Sequence, residues 1–115
     1  AAEAGWARLQ RDPRPKATGE ISRWHYVYGA ALAATGDVAR ATLELHAAAD
    51  TAVRDWVRGR SHRELGKLAL AAGDRSAAAA DFTLADTLCR KDADDACANE
   101  ARALLRQLRQ PGGPQ

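Results

Sequence analysis

The sequence predicts an all-α protein made of antiparallel helix-turn-helix repeats, and two observations lead to this fold class. Apolar residues make up 46% of the 115 residues but aromatic residues only 5%. Much of the apolar content is therefore alanine, the strongest helix former, whereas the β-branched residues that favour strands are sparse. A Gly-Asp pair also interrupts an alanine-rich run twice, at Gly36-Asp37 and at Gly73-Asp74. The length predicts a single domain.

The chain begins with a leading segment and a linker, residues 1–18. The stretch AAEAGWARLQ is weakly helical, and we expect Trp6 and Leu9 to pack on the body of the domain. Two prolines and a glycine in RDPRPKATGE are typical of a linker. We expect the helical domain over residues 19–110 and a disordered tail, PGGPQ, over 111–115.

The main body contains an internal repeat with a period of 37 residues. A shift by this period aligns Arg23 with Arg60, His25 with His62, Gly29 with Gly66, Ala34 with Ala71, Gly36 with Gly73, Asp37 with Asp74, Ala41 with Ala78 and Ala48 with Ala85. It also aligns Tyr28 with Leu65, Glu44 with Asp81 and Leu45 with Phe82. The two units cover about residues 22–53 and 59–90.

The aligned residues explain how each unit would fold. Gly36 and Gly73 would supply the left-handed residue that ends a first helix, and the aspartate that follows would cap the second helix. Gly29 and Gly66 lie in mid-helix, where glycine usually lets a neighbouring helix come close. We expect small residues of the second helices to face them, namely Ala41, Ala48, Ala78 and Ala85.

This pattern resembles the tetratricopeptide repeat family. The second unit has Leu65-Gly66, Gly73-Asp74 and then Ala78, Phe82 and Ala85, and the first unit has Tyr28, Gly29, Gly36, Asp37, Ala41, Leu45 and Ala48. The unit departs from the family at His25 and His62, which replace an early tryptophan, at Leu32 and Ala69, which replace a second aromatic residue, and at Val53 and Arg90, which replace a closing proline. Its period exceeds the family's usual value of about 34, so we expect a longer connection around TAVRDWVRG. The resemblance covers about residues 22–90 and implies a short right-handed superhelix.

A further helix is expected over about residues 93–109. Asp92, Asp94 and Asp95 suit its positive N-terminal end. An apolar stripe recurs along it, formed by Cys97, Ala101, Leu104, Leu105 and Leu108, with Asn99, Arg102, Arg106 and Arg109 on the other side. In the resembled family such a helix caps the open end of the stack.

Two cysteines, Cys89 and Cys97, flank the last predicted turn, so that they would face each other across a helical hairpin. A disulfide is sterically feasible there, and the alternative is two separate, packed thiols. A disulfide would imply an oxidising compartment, periplasmic or secreted, whereas free thiols would be compatible with the cytoplasm.

The composition and motifs argue against several functions. The formal charge of +2 is too balanced to attract nucleic acid or a membrane surface by itself, and no apolar run or leader predicts a membrane span or a signal peptide. The histidines and cysteines lack zinc-ligand spacing, and the acidic cluster lacks the glycine of a calcium loop. No nucleophile motif or phosphate-binding loop is present. We therefore expect no enzyme activity, no metal and no cofactor.

One helical face carries the functional hypothesis. Arg60, Arg63, Lys67 and Leu70 share a face of the first helix of the second unit, and their equivalents are Arg23, Tyr26, Ala30 and Ala33. In the resembled family this face lines a concave groove that binds partner peptides. The cations would suit an acidic segment, because guanidinium groups bind carboxylates bidentately. Ala30 stands where chaperone-binding members have a clamping asparagine. The alternative is a solvated face that keeps the protein soluble.

Other surfaces and roles stay open at the level of the sequence. Trp24 and Trp56 would either cover the ends of the core or act as interface residues. Our main hypothesis is a protein-interaction module with Arg23, Tyr26, Arg60, Arg63, Lys67 and Leu70 as partner-binding residues. The alternatives are a self-associating or structural end of a longer repeat array and an accessory domain of a larger bacterial protein. The absence of methionine indicates a processed product or a piece of a longer chain.

Overall fold

The computed structural model describes residues 20–52 and 54–110, and helices are the only regular secondary structure in these ranges. There are five: α1 (Glu20–Ala34), α2 (Val38–Thr51), α3 (Asp55–Ala71), α4 (Arg75–Lys91) and α5 (Asp95–Arg109). The predicted all-α fold class is confirmed. The expectations for the leading segment and for the tail concern residues 1–18 and 111–115, which lie outside the described residues.

The helices pack in the order of the chain. α1 packs against α2, α3 against α4, and α5 against α4, while α2 joins the two hairpins through contacts with α3. Smaller contacts join α1 to α3 and α3 to α5. The first helix of each hairpin and α5 therefore lie next to one another.

The two Gly-Asp pairs end and begin helices as the sequence predicts. Gly36 and Gly73 have φ angles of 87° and 86°, a left-handed conformation that glycine adopts without a Cβ clash. The next amide, that of Asp37 or Asp74, donates to the carbonyl of Leu32 (3.0 Å) or Ala69 (2.9 Å), which closes the end of the first helix. The carboxylate of Asp37 accepts from the amide of Arg40, and that of Asp74 accepts from the amide of Ala77.

The α4–α5 connection makes the same turn without glycine. Ala93 takes the left-handed conformation with φ 58°, and the amide of Asp94 donates to the carbonyl of Cys89 at 2.8 Å. Because a Cβ disfavours this conformation, the surrounding structure must stabilise it. Asp94 occupies the N-cap position of α5, but its side chain makes no cap hydrogen bond.

The mid-helix glycines face the large residues of the second helices, and our expectation that alanines face them was wrong. A Cβ built on Gly66 would lie 2.5 Å from Cε1 of Phe82, and one on Gly29 would lie 2.8 Å from Cγ of Leu45. Phe82 and Leu45 are fully buried. The glycine thus leaves a hole that one large side chain fills.

The core is continuous across the hairpins. Tyr28, Leu32 and Ala41 form one buried cluster, against which Leu68 of α3 packs. Ala78, Phe82 and Leu105 form a second, so that α5 closes the second hairpin as α3 closes the first.

The stretch TAVRDWVRG, residues 51–59, is where we expect the connection between the repeats to be longer by about a turn of helix. In the structure α2 runs to Thr51 and α3 begins at Asp55. Residues 55–59 of this stretch therefore belong to the N-terminal part of α3.

None of the helices in the described ranges combines the length and the apolar composition that a membrane crossing requires.

We predict that Gly66→Ala destabilises the protein, although alanine has the higher helix propensity by about 1 kcal/mol. The added methyl group has no space beside Phe82, and overpacking of this kind costs about 1–3 kcal/mol. Urea unfolding followed by circular dichroism measures the change.

The control for this prediction is the Phe82→Ala background, which lacks the ring atoms that lie nearest to the added methyl group. There Gly66→Ala should cost clearly less. An equal loss in both backgrounds would contradict the contact with Phe82 as the cause.

Candidate functional site

A groove of about 260 Å³ lies between α1 and α3. Ala30, Ala33 and Ala34 line it from α1, and Glu64, Lys67 and Leu68 line it from α3. The alanines present only methyl groups, which leaves room between two helices that belong to different hairpins. The groove therefore coincides with part of the face that the sequence singled out.

The structure separates the six predicted binding residues. Lys67 lines the groove, while Tyr26, Arg60 and Arg63 lie beside it, toward the N-terminal ends of α1 and α3. Arg23 is exposed on α1. Leu70 packs against the buried cluster of Ala78, Phe82 and Leu105.

Arg60 forms an ion pair with Asp94, at the start of α5. Its Nε lies 2.6 Å from Oδ2 and its second guanidinium nitrogen lies 3.1 Å from Oδ1, so that the pairing is bidentate. These hydrogen bonds hold the pKa of Asp94 below its ordinary value and raise the pKa of Arg60. Asp94 is only 11% exposed, which reduces screening by water.

Aromatic rings support the guanidinium of Arg60. It lies over the ring of Trp56 at 5.3 Å from the centroid, a cation–π contact. The ring of Tyr26 meets that of Trp56 edge-on at 6.4 Å. The backbone amide of Trp56 donates to the carboxylate of Asp92 at 3.1 Å. Trp56 therefore belongs to the contact between α3 and the α4–α5 turn, whereas Trp24 is partly buried on α1.

Arg63 and Lys67 share two carboxylates. Nε of Arg63 lies 2.9 Å from Glu64 and 3.3 Å from Glu100. Nζ of Lys67 lies 3.4 Å from Glu64 and 3.1 Å from Glu100. Together with Asp94, these acidic residues match the charges of Arg60, Arg63 and Lys67. The surface is locally neutral, although its cations are held in fixed positions.

Three side chains at the same position of the repeat form a row across the first helices. Tyr26, Arg63 and Glu100 are each 37 residues apart. The guanidinium of Arg63 donates to the hydroxyl of Tyr26 at 3.3 Å and pairs with Glu100 on its other side. α5 thus continues the repeat register and supplies the carboxylate at the end of the row.

The histidines join the helices within each hairpin. Nδ1 of His62 lies 2.9 Å from Asp81, and His25 contacts Glu44 at the equivalent position of the first unit. Both pairs connect a first helix to its second helix.

Cys89 and Cys97 form a disulfide between α4 and α5, with their Cα atoms 6.0 Å apart. Of the two readings of the sequence, the disulfide is the one found. Both cysteines are fully buried, and a Cβ on Gly59 would lie 2.5 Å from Sγ of Cys89. In the described part of the chain, only Cys89, Asp94 and Cys97 bring three potential metal ligands together. Their sulfurs are bonded to each other, and Asp94 is bound by Arg60.

Comparisons of this chain with protein-family models, with curated proteins and with solved structures found no match.

The acidic partners of the predicted site, Asp94 and Glu100, were not predicted from the sequence. Asp94 was expected only as a residue at the N-terminal end of α5. The signal was present, because one further shift by the repeat period takes Tyr26 to Arg63 and then to Glu100. The partner of Arg60 carries no such signal, since Asp94 comes from a turn that breaks the repeat pattern.

We predict that Asp94→Asn destabilises the protein at neutral pH by about 1.5–3 kcal/mol, the range for hydrogen bonds to charged groups. The folded pKa of Asp94 lies below the unfolded one. Its contribution is therefore complete above the unfolded value of about 3.9 and is lost as the pH falls through the folded value. Urea unfolding of both proteins between pH 7 and pH 2 should show the difference shrink toward acid.

Asp50→Asn is the matched control, because Asp50 is an exposed carboxylate on α2. It should change stability little at any pH. A difference between wild type and Asp94→Asn that stays constant into acid would exclude the carboxylate charge as the cause.

Proposed function

We propose that this chain is a protein-interaction module that binds an extended, acidic peptide segment along the groove between α1 and α3. The main supporting observation is a groove that is lined by alanines on α1 and lies beside Arg63 and Lys67, whose charged groups are held in place by ion pairs. The alanines accommodate a peptide backbone, and Arg63 and Lys67 would bind its carboxylates. The proposed role is binding without catalysis.

The existing ion pairs define how such a ligand would bind. Glu100 is 43% exposed, whereas Glu64 is 16% exposed. Exposed ion pairs contribute only about 0–1 kcal/mol, so that a ligand carboxylate can replace Glu100 at little cost. Arg60 differs, because its pair with Asp94 is bidentate and the carboxylate of Asp94 is only 11% exposed. Arg63 and Lys67 are therefore the cations that we assign to the ligand, and Arg60 maintains the structure.

We predict that Arg63→Gln combined with Lys67→Gln weakens binding of an acidic peptide at least tenfold, which is about 1.4 kcal/mol. The probe is a labelled peptide of alternating glutamate and alanine, and fluorescence anisotropy measures the affinity. The same peptide with glutamine in place of glutamate is the reference ligand.

The control removes two positive charges elsewhere, through Lys91→Gln and Arg106→Gln. Both residues are exposed, and neither lines the groove. This variant should bind almost as the wild type does. Equal losses in both variants would show that the effect comes from net charge alone. If the wild type binds the glutamate peptide no better than the glutamine peptide, the proposal is rejected.

We also predict that Glu100→Gln tightens binding of the acidic peptide by about twofold to fivefold. The substitution removes the carboxylate that competes for Arg63 and Lys67, and the gain is limited by the small strength of exposed ion pairs. The measurement is the same titration, repeated at high salt, where the gain should disappear. Weaker binding by Glu100→Gln would show that Glu100 supports the ligand site instead of competing for it.

A second role, the closed end of a repeat array, has its own support. The outer side of α5 carries Asn99, Arg102, Arg106 and Arg109, all of them exposed. A polar outer face is what a terminal repeat needs for solubility. The buried disulfide further supports an oxidising compartment as the site of action.

A further inference from the structure

α3 and α5 each bury the same face against the hairpin that precedes them in the chain. Leu68 of α3 packs against the cluster of Tyr28, Leu32 and Ala41. Leu105 of α5, one repeat period later, packs against Ala78 and Phe82. One position of the repeat therefore makes the contact between successive units.

Two neighbouring positions on this face follow the same rule. Ser61 of α3 and Ala98 of α5 are one repeat period apart, and both are fully buried. Ala101 of α5 is also fully buried, and its equivalent on α3 is Glu64, whose side chain is 16% exposed, lines the groove and pairs with Lys67. Because helical positions three and four apart share a face, these residues and Leu68 or Leu105 form one continuous contact surface.

α1 carries this surface without a cover from the described residues. Its equivalents are Trp24, Val27 and Ala31. Val27 is 42% exposed, whereas Ala101 at the same position is 0% exposed, and Ala31 is exposed where Leu105 is buried.

We propose that residues 1–10 of this chain cover the outer face of α1, as α2 covers α3 and α4 covers α5. Continuity with the established contacts supports this occupant, because in both described cases the covering helix comes immediately before the covered one in the chain. The segment AAEAGWARLQ holds four alanines and a glycine together with Trp6 and Leu9. This mixture of small and large apolar residues resembles that of α2, which contains Ala41, Leu45 and Ala48.

The connecting chain is long enough for this arrangement. Residues 11–19 can span about 30 Å when extended, while α1, with 15 residues, is about 22 Å long. The segment can therefore begin at the far end of α1 and run back along it. As a helix of ten residues it would be about 15 Å long, more than the distance from Trp24 to Ala31.

The test uses Val27→Asp in the full 115-residue chain. We expect its melting temperature to fall by about 5 °C or more, since a charge would be buried under the segment. Trp6→Asp combined with Leu9→Asp should cause a similar fall. Adding Val27→Asp to that variant should then cost almost nothing more, because the cover is already lost.

The matched control is Leu43→Asp on α2, where the side chain is 71% exposed, and it should leave the melting temperature nearly unchanged. If Val27→Asp behaves as this control does, the face is open to solvent and the proposal fails. A fall that is the same with and without Trp6 and Leu9 would assign the face to another occupant. Sedimentation at several concentrations would then identify a second copy, which would equally overturn the proposal.

Hydrogen exchange provides a second measurement, which reports on the segment itself. The amides of residues 4–10 should be protected in the wild type and lose protection in Val27→Asp. Full exchange of these amides in the wild type would contradict a helical cover.

Discussion

The close approach of paired helices, which a methyl group at Gly29 or Gly66 would prevent, is the constraint on which this structure depends. Each hairpin places one large side chain of its second helix, Leu45 or Phe82, against a glycine of its first. The alanines around this contact, Ala41 and Ala78 among them, are fully buried because the backbones lie close together. An alanine-rich chain buries little area per residue, and close packing compensates for this through contacts along the whole helix.

The repeat register determines the chemistry of the surface as well as the fold. It places one residue of α1, one of α3 and one of α5 next to each other, and these residues differ: Tyr26, Arg63 and Glu100. Arg63 donates to the hydroxyl of Tyr26 on one side and to the carboxylate of Glu100 on the other. Glu100 thereby offsets the positive charge of Arg63 and of Lys67 within the protein. An acidic ligand of the kind that we propose would have to exchange one carboxylate for another, which would favour selectivity over high affinity. Asp94 gives Arg60 a separate, more buried partner, so that the structural and the exchangeable ion pairs are distinct.

The sequence contains the information for the helices but only part of that for the site. The helix ends at the Gly-Asp pairs can be predicted from short stretches of sequence, because a left-handed glycine and a capping aspartate act within a few residues. The contact of Phe82 with Gly66 was missed, since it depends on the rotation of two helices about their axes and not on spacing along one helix. The pairing of Arg60 with Asp94 joins residues that are 34 positions apart in the sequence. It also depends on the left-handed turn at Ala93, where the sequence has no glycine to indicate such a turn. Leu70 shares a helical face with Arg63 and Lys67. Its side chain nevertheless packs against the buried cluster that Leu105 of α5 completes.

The position of the disulfide has a consequence for its chemistry. A thiolate reductant must reach a sulfur atom in line with the bond that it breaks, and both sulfurs lie beneath Gly59 and the α4–α5 turn with no exposed surface. Cleavage therefore requires this end of the molecule to open first, so that its rate is set by local opening of α5 and not by the concentration of the reductant alone. Once formed, the bond is therefore shielded from reductants in solution for as long as this end of the molecule stays closed.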